Sequence, residues 1–404
     1  MKKSTAIATA AILTLPLALA GCSGSAPRGG GDADTITVMD YYNNEPDKTM
    51  IGEVIDECAA TIGITVKRTT VPGKDLIQKV LQQASSKTLP DVLMLDNPDV
   101  QQIAATGGLT PFSQLGLDAA GSAPGMIDAG TYEGELYGLA PTANTLGLFY
   151  NKKLLADKGI TPPTTWEELK TAAAALTSGD QYGVAFSAIA TYEGSWQFLP
   201  FMWTNGGDET DLTSPEVAQA LQLWVDLVES GAASDSVINW SQSDVKDQFV
   251  AGKAAMMVNG PWQFPALEAE SELEWGSVQV PVNETGQTPI APLGGELWTI
   301  PQTGDKAKQA TAAELVECLT EDATEMKLGT QRYTVPVRTS LAADYVSEMP
   351  TMEAFATQVA NARSRTGKLG EEWPQVATQI YTAIQLALTG QASAQDAFTQ
   401  AAAG

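Results

Sequence analysis

Apolar positions keep three different rhythms along this 404-residue chain. Behind Lys2 and Lys3 an uncharged apolar run extends from Ala6 to Ala20 and ends in small residues. Ser23 to Asp34 reads SGSAPRGGGDAD, with no aliphatic residue larger than alanine, so it cannot bury enough surface to fold and predicts a flexible tether. Fully stretched, such a tether reaches about 40 Å. Beyond it, short extended runs alternate with stretches of helical spacing. Ile36 to Met39 predicts a strand, Asp47 to Ala60 a helix, and the alternating Ile64 to Thr69 a second strand. Asp75 to Ser85, with Leu76, Ile77, Val80, Leu81 and Ala84 on one face, predicts a helix, and Val92 to Leu95 a short buried strand. This βαβαβ order implies an α/β protein with a largely parallel sheet covered by helices on both faces. Ligands of such sheets sit beyond the carboxyl ends of the strands, which puts Asp40 to Asn44 and Asp96 to Asn97 on one rim.

A second block begins near Pro141. Thr165 with Glu168 predicts a capping box opening a helix through Thr177, and Ser214 with Pro215 opens another that Gly231 closes. Within the latter, Val217, Leu221, Trp224, Val225 and Val228 form one apolar face, so Trp224 reads as core. Gly252 ends a short helix, Ala254 to Val258 is a strand, and the turn Asn259, Gly260, Pro261 presents Trp262. The chain is helical again from Thr311, from Pro374 to Thr389, and from near Ser393.

The charged start and apolar run are those of a secretory signal. About 15 apolar residues interrupted by Pro16 fall short of the roughly 20 needed to cross a bilayer. Leu19, Ala20, Gly21 and Cys22 resemble the lipobox of bacterial lipoproteins, which implies a signal peptide over 1–21, a lipidated Cys22, a tether over 22–34, and an extracytoplasmic protein held at the cell membrane by lipid. The remaining length exceeds what one hydrophobic core usually organises, so two lobes are expected. The formal charge of −25 becomes −27 without Lys2 and Lys3. Such a surface repels nucleic acid and anionic lipid. The chain has no histidine, which removes the usual general base and the commonest zinc ligand; no metal or cofactor is expected. Cys58 and Cys318 each fall inside a predicted helix, and in an exported chain they either bond or stay as two buried thiols.

Five segments in order resemble family 1 extracellular solute-binding proteins, the carbohydrate receptors of ABC importers: PTANTLGLFYNKKLL (141–155), PPTTWEEL (162–169), AAMMVNGPWQF (254–264), PLGGELWTIP (292–301) and WPQVATQIYTAIQLALTG (373–390). The resemblance implies a two-lobed periplasmic-binding-protein (type II) fold with a ligand cleft between lobes joined by hinge segments. It maps the N-terminal lobe to 35–142 plus 294–345 and the C-terminal lobe to 143–293 plus 346–404. Cys58 and Cys318 then fall in the same lobe. It also implies a monomer that captures a sugar, passes it to permease subunits in the membrane, and performs no chemistry.

A sugar presents hydroxyls at its edge and nearly apolar C–H faces, so its site needs aromatic rings together with carboxylates, amides or guanidinium. The loop DYYNNEPD offers Asp40, Tyr41, Tyr42 and Asn43. LDNPD offers Asp96 and Asn97, which serve equally well as helix caps. By family position, Asn144 and Thr145 lie at the first crossover, where maltose-type receptors carry an acid. ATYEGSWQF supplies Tyr192, Glu193, Trp196 and Gln197, and Trp262 matches the family's stacking tryptophan. Gly294 and Gly295 allow close backbone approach beside the binding candidates Glu296 and Trp298, the latter serving equally well as lobe packing. Arg338 lies where relatives put a ligand-facing or hinge-region residue, and Trp373, also a candidate, opens the C-terminal segment lining the second lobe. Arg363 and Arg365 read as a solvated basic pair. Two alternatives remain open: a secreted glycosidase using Glu193 and Glu296 as paired carboxylates, and a receptor for a non-sugar ligand.

Overall fold

The computed structural model describes residues 34–403. The expected signal, Cys22 and all of the tether except Asp34 lie outside the described residues. The first strand (Thr35–Asp40) pairs in parallel with Thr65–Thr70 on one side and Val92–Asp96 on the other. The helices Asp47–Ile62 and Gly73–Ser86 form the crossovers between them. The sheet is completed by Glu296–Thr299 and Gly138–Leu139, giving the order Thr65–Thr70, Thr35–Asp40, Val92–Asp96, Glu296–Thr299, Gly138–Leu139. Glu296–Thr299 runs antiparallel to both of its neighbours, so the expected largely parallel sheet carries one reversed strand among four that point the same way. The reason is its route: it enters at the rim from the other half of the molecule, without a crossover helix to turn it round.

The second sheet has the order Trp275–Val278, Gly147–Asn151, Ala254–Asn259, Tyr182–Ala185. Only the last pair is parallel. Its helices form as the local signals dictate. The Thr165 hydroxyl accepts from the Glu168 N–H, and Glu168 reaches back to the Thr165 N–H to open Trp166–Leu176. Pro215 opens Pro215–Glu229, and Gly231 follows at φ +73°. Trp224 is fully buried, its ring 4.4 Å from that of Phe186. The helix expected from Thr311 begins earlier, at Lys306, because the Asp305 carboxylate caps it by accepting from Ala307 and Lys308. The C-terminal helices Trp373–Leu388 and Ala394–Ala403 pack on Tyr192–Thr204 and Pro215–Glu229, enlarging the core of the second half.

Cys58 and Cys318 form a disulfide that joins the helices Asp47–Ile62 and Lys306–Leu319 over a separation of 260 residues. Where the chain passes between the sheets, Thr142–Ala143 pairs with Val335–Pro336, Asn144 bridges Gly294, and Pro292 bridges Arg363. One apolar cluster runs through this junction from Leu93 and Leu95 to Phe149, Met257 and Phe355.

Candidate functional site

The rim of the first sheet brings carboxylates together. Asp96 ends its strand and stands in register with Glu296 across the antiparallel pair. Asp96 also caps the helix Asn97–Ala105, accepting the Asn97 N–H at 2.9 Å, so the capping and rim roles coexist. Tyr41 follows the first strand and donates its hydroxyl to Glu296. Burial and then Glu296 hold the Tyr41 phenol well above its ordinary value. Burial raises the Asp96 carboxyl too, against the pull of Arg365 and with a further push from Glu296. One helical turn on, burial and the Asp96 charge push Asp99 up to about 7.

The second half contributes aromatic rings. The Thr191 hydroxyl accepts from the Glu193 N–H and opens the helix Tyr192–Thr204, which sets Tyr192 and Trp196 four residues apart on one face. Tyr192 is 47% exposed, the one large hydrophobic side chain so exposed among the described residues. A Glu193 oxygen accepts the Gln242 N–H at 2.8 Å. Trp262 lies on the single turn Pro261–Gln263 after the strand Ala254–Asn259.

The crossing segments close the floor. Asn144 and Gly294 exchange backbone hydrogen bonds at 3.0 and 2.8 Å. A Cβ on Gly294 would stand 2.0 Å from Asn144 Oδ1 and 2.9 Å from the Trp196 ring, so only glycine fits there. Arg365 lies two residues beyond the bridge between Pro292 and Arg363. Its guanidinium lies 4.6 Å over the Trp196 ring, and one terminal nitrogen donates to Asn97 Oδ1 at 3.1 Å and Asp96 Oδ1 at 3.4 Å. Together these residues line a cavity of about 290 Å³: Tyr41, Asp96 and Glu296 from the first sheet's rim, Tyr192, Glu193, Trp196, Gln242 and Trp262 from the second half, and Asn144, Gly294, Gly295 and Arg365 between them. A larger cavity of about 700 Å³ follows the edge strand Trp275–Val278. We place the site in the smaller one because rings, carboxylates and both halves converge there.

Of the residues singled out from sequence, the structure gathers Tyr41, Asp96, Asn144, Glu193, Trp196, Trp262, Gly294, Gly295 and Glu296 around this cavity. The others turn to internal partners. Asp40 is buried against Arg68 at 2.6 Å. Tyr42 lies beneath the Arg332 guanidinium at 4.4 Å, and Asn43 closes a local turn by donating its N–H to Tyr41 O. Asn97 donates its amide to the carbonyls of Leu293 and Gly295, and Thr145 its hydroxyl to that of Pro292. Gln197 bonds Ser187 N and Val258 O inside the second half. Trp298 packs in the core under the first sheet, Arg338 pairs with Glu325 and Asp322, and Trp373 is buried in the second core.

Sequence reasoning misses two lining residues, Gln242 and Arg365, and leaves Tyr192 out of the binding set although it names it beside Glu193. Arg365 is 6% exposed, which corrects the solvated pair. Arg363 likewise lies over Trp203 at 4.6 Å and bonds Glu209. The available signal was compositional: in an acidic chain, arginines in a stretch without acids (NARSRTG) find their carboxylates elsewhere in the fold.

Two α/β halves share a ring-and-carboxylate cavity where the chain crosses between them, the architecture of the bilobed solute-binding fold. The chain belongs to the bacterial extracellular solute-binding protein family, whose model matches residues 53–357. It is 25% identical over 236 residues to a putative binding protein of Brucella abortus (strain 2308), a match covering 55% of this chain and 57% of that protein; the chain thus spans little more than half the length of the curated relatives it matches first. It is 24% identical over 324 residues to the maltooligosaccharide ABC transporter solute-binding lipoprotein of Streptococcus pneumoniae serotype 4 (strain ATCC BAA-334 / TIGR4), covering 75% of this chain and 73% of that one. The crystal structure of the cyclic alpha-maltosyl-1,6-maltose binding protein from Arthrobacter globiformis superposes with a TM-score of 0.80 at 27% identity, covering 91% of this chain and 96% of the other.

Proposed function

We propose that this protein is an extracytoplasmic lipoprotein, anchored through Cys22, that captures a di- or oligosaccharide in the cavity between its lobes and passes it unaltered to the permease of an ABC importer. One observation carries this reading: Tyr41, Tyr192, Trp196 and Trp262 line one cavity, drawn from both halves, together with Asp96, Glu193, Glu296, Asn144 and Arg365. Rings suit the C–H faces of a sugar, and the polar groups suit its hydroxyl edge. The names of the pneumococcal and Arthrobacter relatives point to the same ligand chemistry and, for the former, to an ABC transporter.

The mechanism is hinge closure. We take the lobes as 35–142 plus 294–345 and 143–293 plus 346–404; the ligand bridges them, and only the closed state makes both sets of contacts. Micromolar binding, about −8 kcal/mol, lies within reach of a few stacked rings and charge-assisted hydrogen bonds. The protein acts as a monomer and no covalent step is involved. A thermal-shift screen over mono-, di- and oligosaccharides, followed by calorimetry on the best one, tests the reading. A saturable shift with chemically unchanged sugar supports it. No saccharide-dependent shift, or conversion of the sugar to product, overturns it.

A further inference from the structure

The cavity's charges do not balance. Among the described residues, Asp96, Glu193 and Glu296 line it against the single cation Arg365, with no lysine, a formal net of −2. Asp99 stands behind Asp96, whose charge raises its carboxyl, and Asp99 in turn raises the Tyr192 phenol. The next cation, Arg332, is matched by Asp47 at 2.8 Å. Two lining carboxylates also keep an oxygen with no protein donor among the described residues. Asp96 uses Oδ1 for the Asn97 N–H and Arg365 and leaves Oδ2 open; Glu193 uses Oε2 for the Gln242 N–H and leaves Oε1 open. Closing the lobes over a neutral guest would strip water from a net negative site and give nothing positive in return.

A second, independent feature belongs to a side chain that lines the same cavity. Arg365 is more than nine-tenths buried, and its Nε–H finds no acceptor among the described residues. A buried guanidinium N–H without a partner calls for an oxygen acceptor. The guest must therefore present an oxygen acceptor to Arg365 and cationic donors to the carboxylates, with apolar faces for Tyr192 and Trp262. A ring bearing both hydroxyl and ammonium groups satisfies all three demands, and an aromatic face beside carboxylates further favours a cation.

We infer that the saccharide this cavity takes carries a cationic amine. The inference rests on the carbohydrate reading above and narrows it to amino sugars or their oligomers, with the ammonium set among Asp96, Glu193 and Glu296 and a hydroxyl or ring oxygen against Arg365.

The test uses matched mono- and disaccharide sets, each sharing ring and linkage and differing only in a hydroxyl, an acetamide or a free amine at one position. Isothermal titration against the full chain is run at low and high salt, with spermidine as a non-sugar amine. The free-amine member is expected to bind at least about tenfold tighter than its hydroxyl and acetamide partners, an advantage that shrinks severalfold as salt screens it. Glu193→Gln is expected to lower the ratio of amine to hydroxyl affinity; because this ratio is taken within one folded variant, a general loss of binding does not mimic it. Equal or tighter binding of the hydroxyl or acetamide member overturns the inference and leaves the saccharide receptor standing. Spermidine binding as tightly as the amino sugar overturns the saccharide part, and no binding by any member overturns both.

Discussion

Gly260 offers a way to move the stacking tryptophan without removing it. Its backbone is extended (φ −110°, ψ 170°), a conformation open to any residue, yet a Cβ there would lie 2.0, 2.1 and 2.4 Å from Cζ3, Cη2 and Cε3 of Trp262. Carbon atoms in contact sit about 3.5–4.0 Å apart, so in Gly260→Ala the indole must swing away by roughly 1.5 Å or more. A ring displaced that far no longer lies flat on a sugar face. Stacking geometry is worth about 0.5–1.5 kcal/mol beyond area, and roughly 50 Å² of lost apolar contact adds about 1.3 kcal/mol. The sum, near 2 kcal/mol, predicts about 30-fold weaker binding of the saccharide found by screening. Stability should change little, because alanine at a compatible backbone gains about 0.4–1 kcal/mol through the unfolded chain, offsetting packing lost around a part-buried indole. Calorimetry on Gly260→Ala, Trp262→Ala and the double variant is the assay. Both single variants should weaken binding similarly, and the double variant should add little to either, since they act through one ring. Wild-type affinity in a folded Gly260→Ala, or additive losses in the double variant, refutes the placement of Trp262 against the ligand.

Replacing Arg365 with methionine removes the main influence opposing the raised pKa of Asp96. It should cost about 1–3 kcal/mol of stability and weaken saccharide binding at least about tenfold, measured by denaturation and calorimetry. Lysine should not rescue it, having neither the planar face for Trp196 nor the fork for Asn97 and Asp96. Asp99, held up to about 7 from 3.8, binds its proton more tightly folded than unfolded, so its contribution is present at low pH and lost as pH rises through 7. Asp99→Asn should therefore gain on the wild type between pH 4 and 7, by on the order of 2 kcal/mol once solvent screening of the part-exposed carboxylate is allowed for, with a flat difference above pH 8 in pH-stepped denaturation. Intact mass with and without reduction should reveal the Cys58–Cys318 bond as two added hydrogens, and replacing both cysteines with serine should cost about 2–5 kcal/mol.

The fold was legible where its signals are local. Capping at Thr165 and Glu168, the Pro215 helix start, and the alternation of strands and helices from Ile36 to Leu95 each depend on neighbours within a few positions. The candidate loop DYYNNE was legible as a rim and misread within it. Chain leaving a strand keeps a period of two, so Tyr41 faces the cavity while Asp40 and Tyr42 turn to Arg68 and Arg332. Composition gave four polar or aromatic residues in a row; only the register of Thr35–Asp40 in its sheet decides which of them look inward. Trp298 fails in a related way. It shares a face with Glu296 but sits one step farther from the rim, inside the core.

Arg365 shows why the remainder was hidden. Every arginine among the described residues has a carboxylate partner: Arg68 with Asp40, Arg332 with Asp47, Arg338 with Glu325, Arg363 with Glu209 and Arg365 with Asp96. With the exception of Arg338 and Glu325, each pair joins residues at least 28 positions apart, and the Arg365 pair spans 269. Local reasoning treats a cation without nearby acids as solvated, yet a strongly acidic chain supplies carboxylates to any cation its crossings can reach. The segment at the Pro292–Arg363 bridge carries two such cations. Arg363 stacks on Trp203 and stays within the second half, whereas Arg365 stacks on Trp196 of that half while bonding Asp96 and Asn97 at the first sheet's rim. One of the pair thus braces a lobe and the other spans the cleft. Spacing cannot tell them apart, because the difference lies in which tryptophan and which carboxylate the fold brings to each.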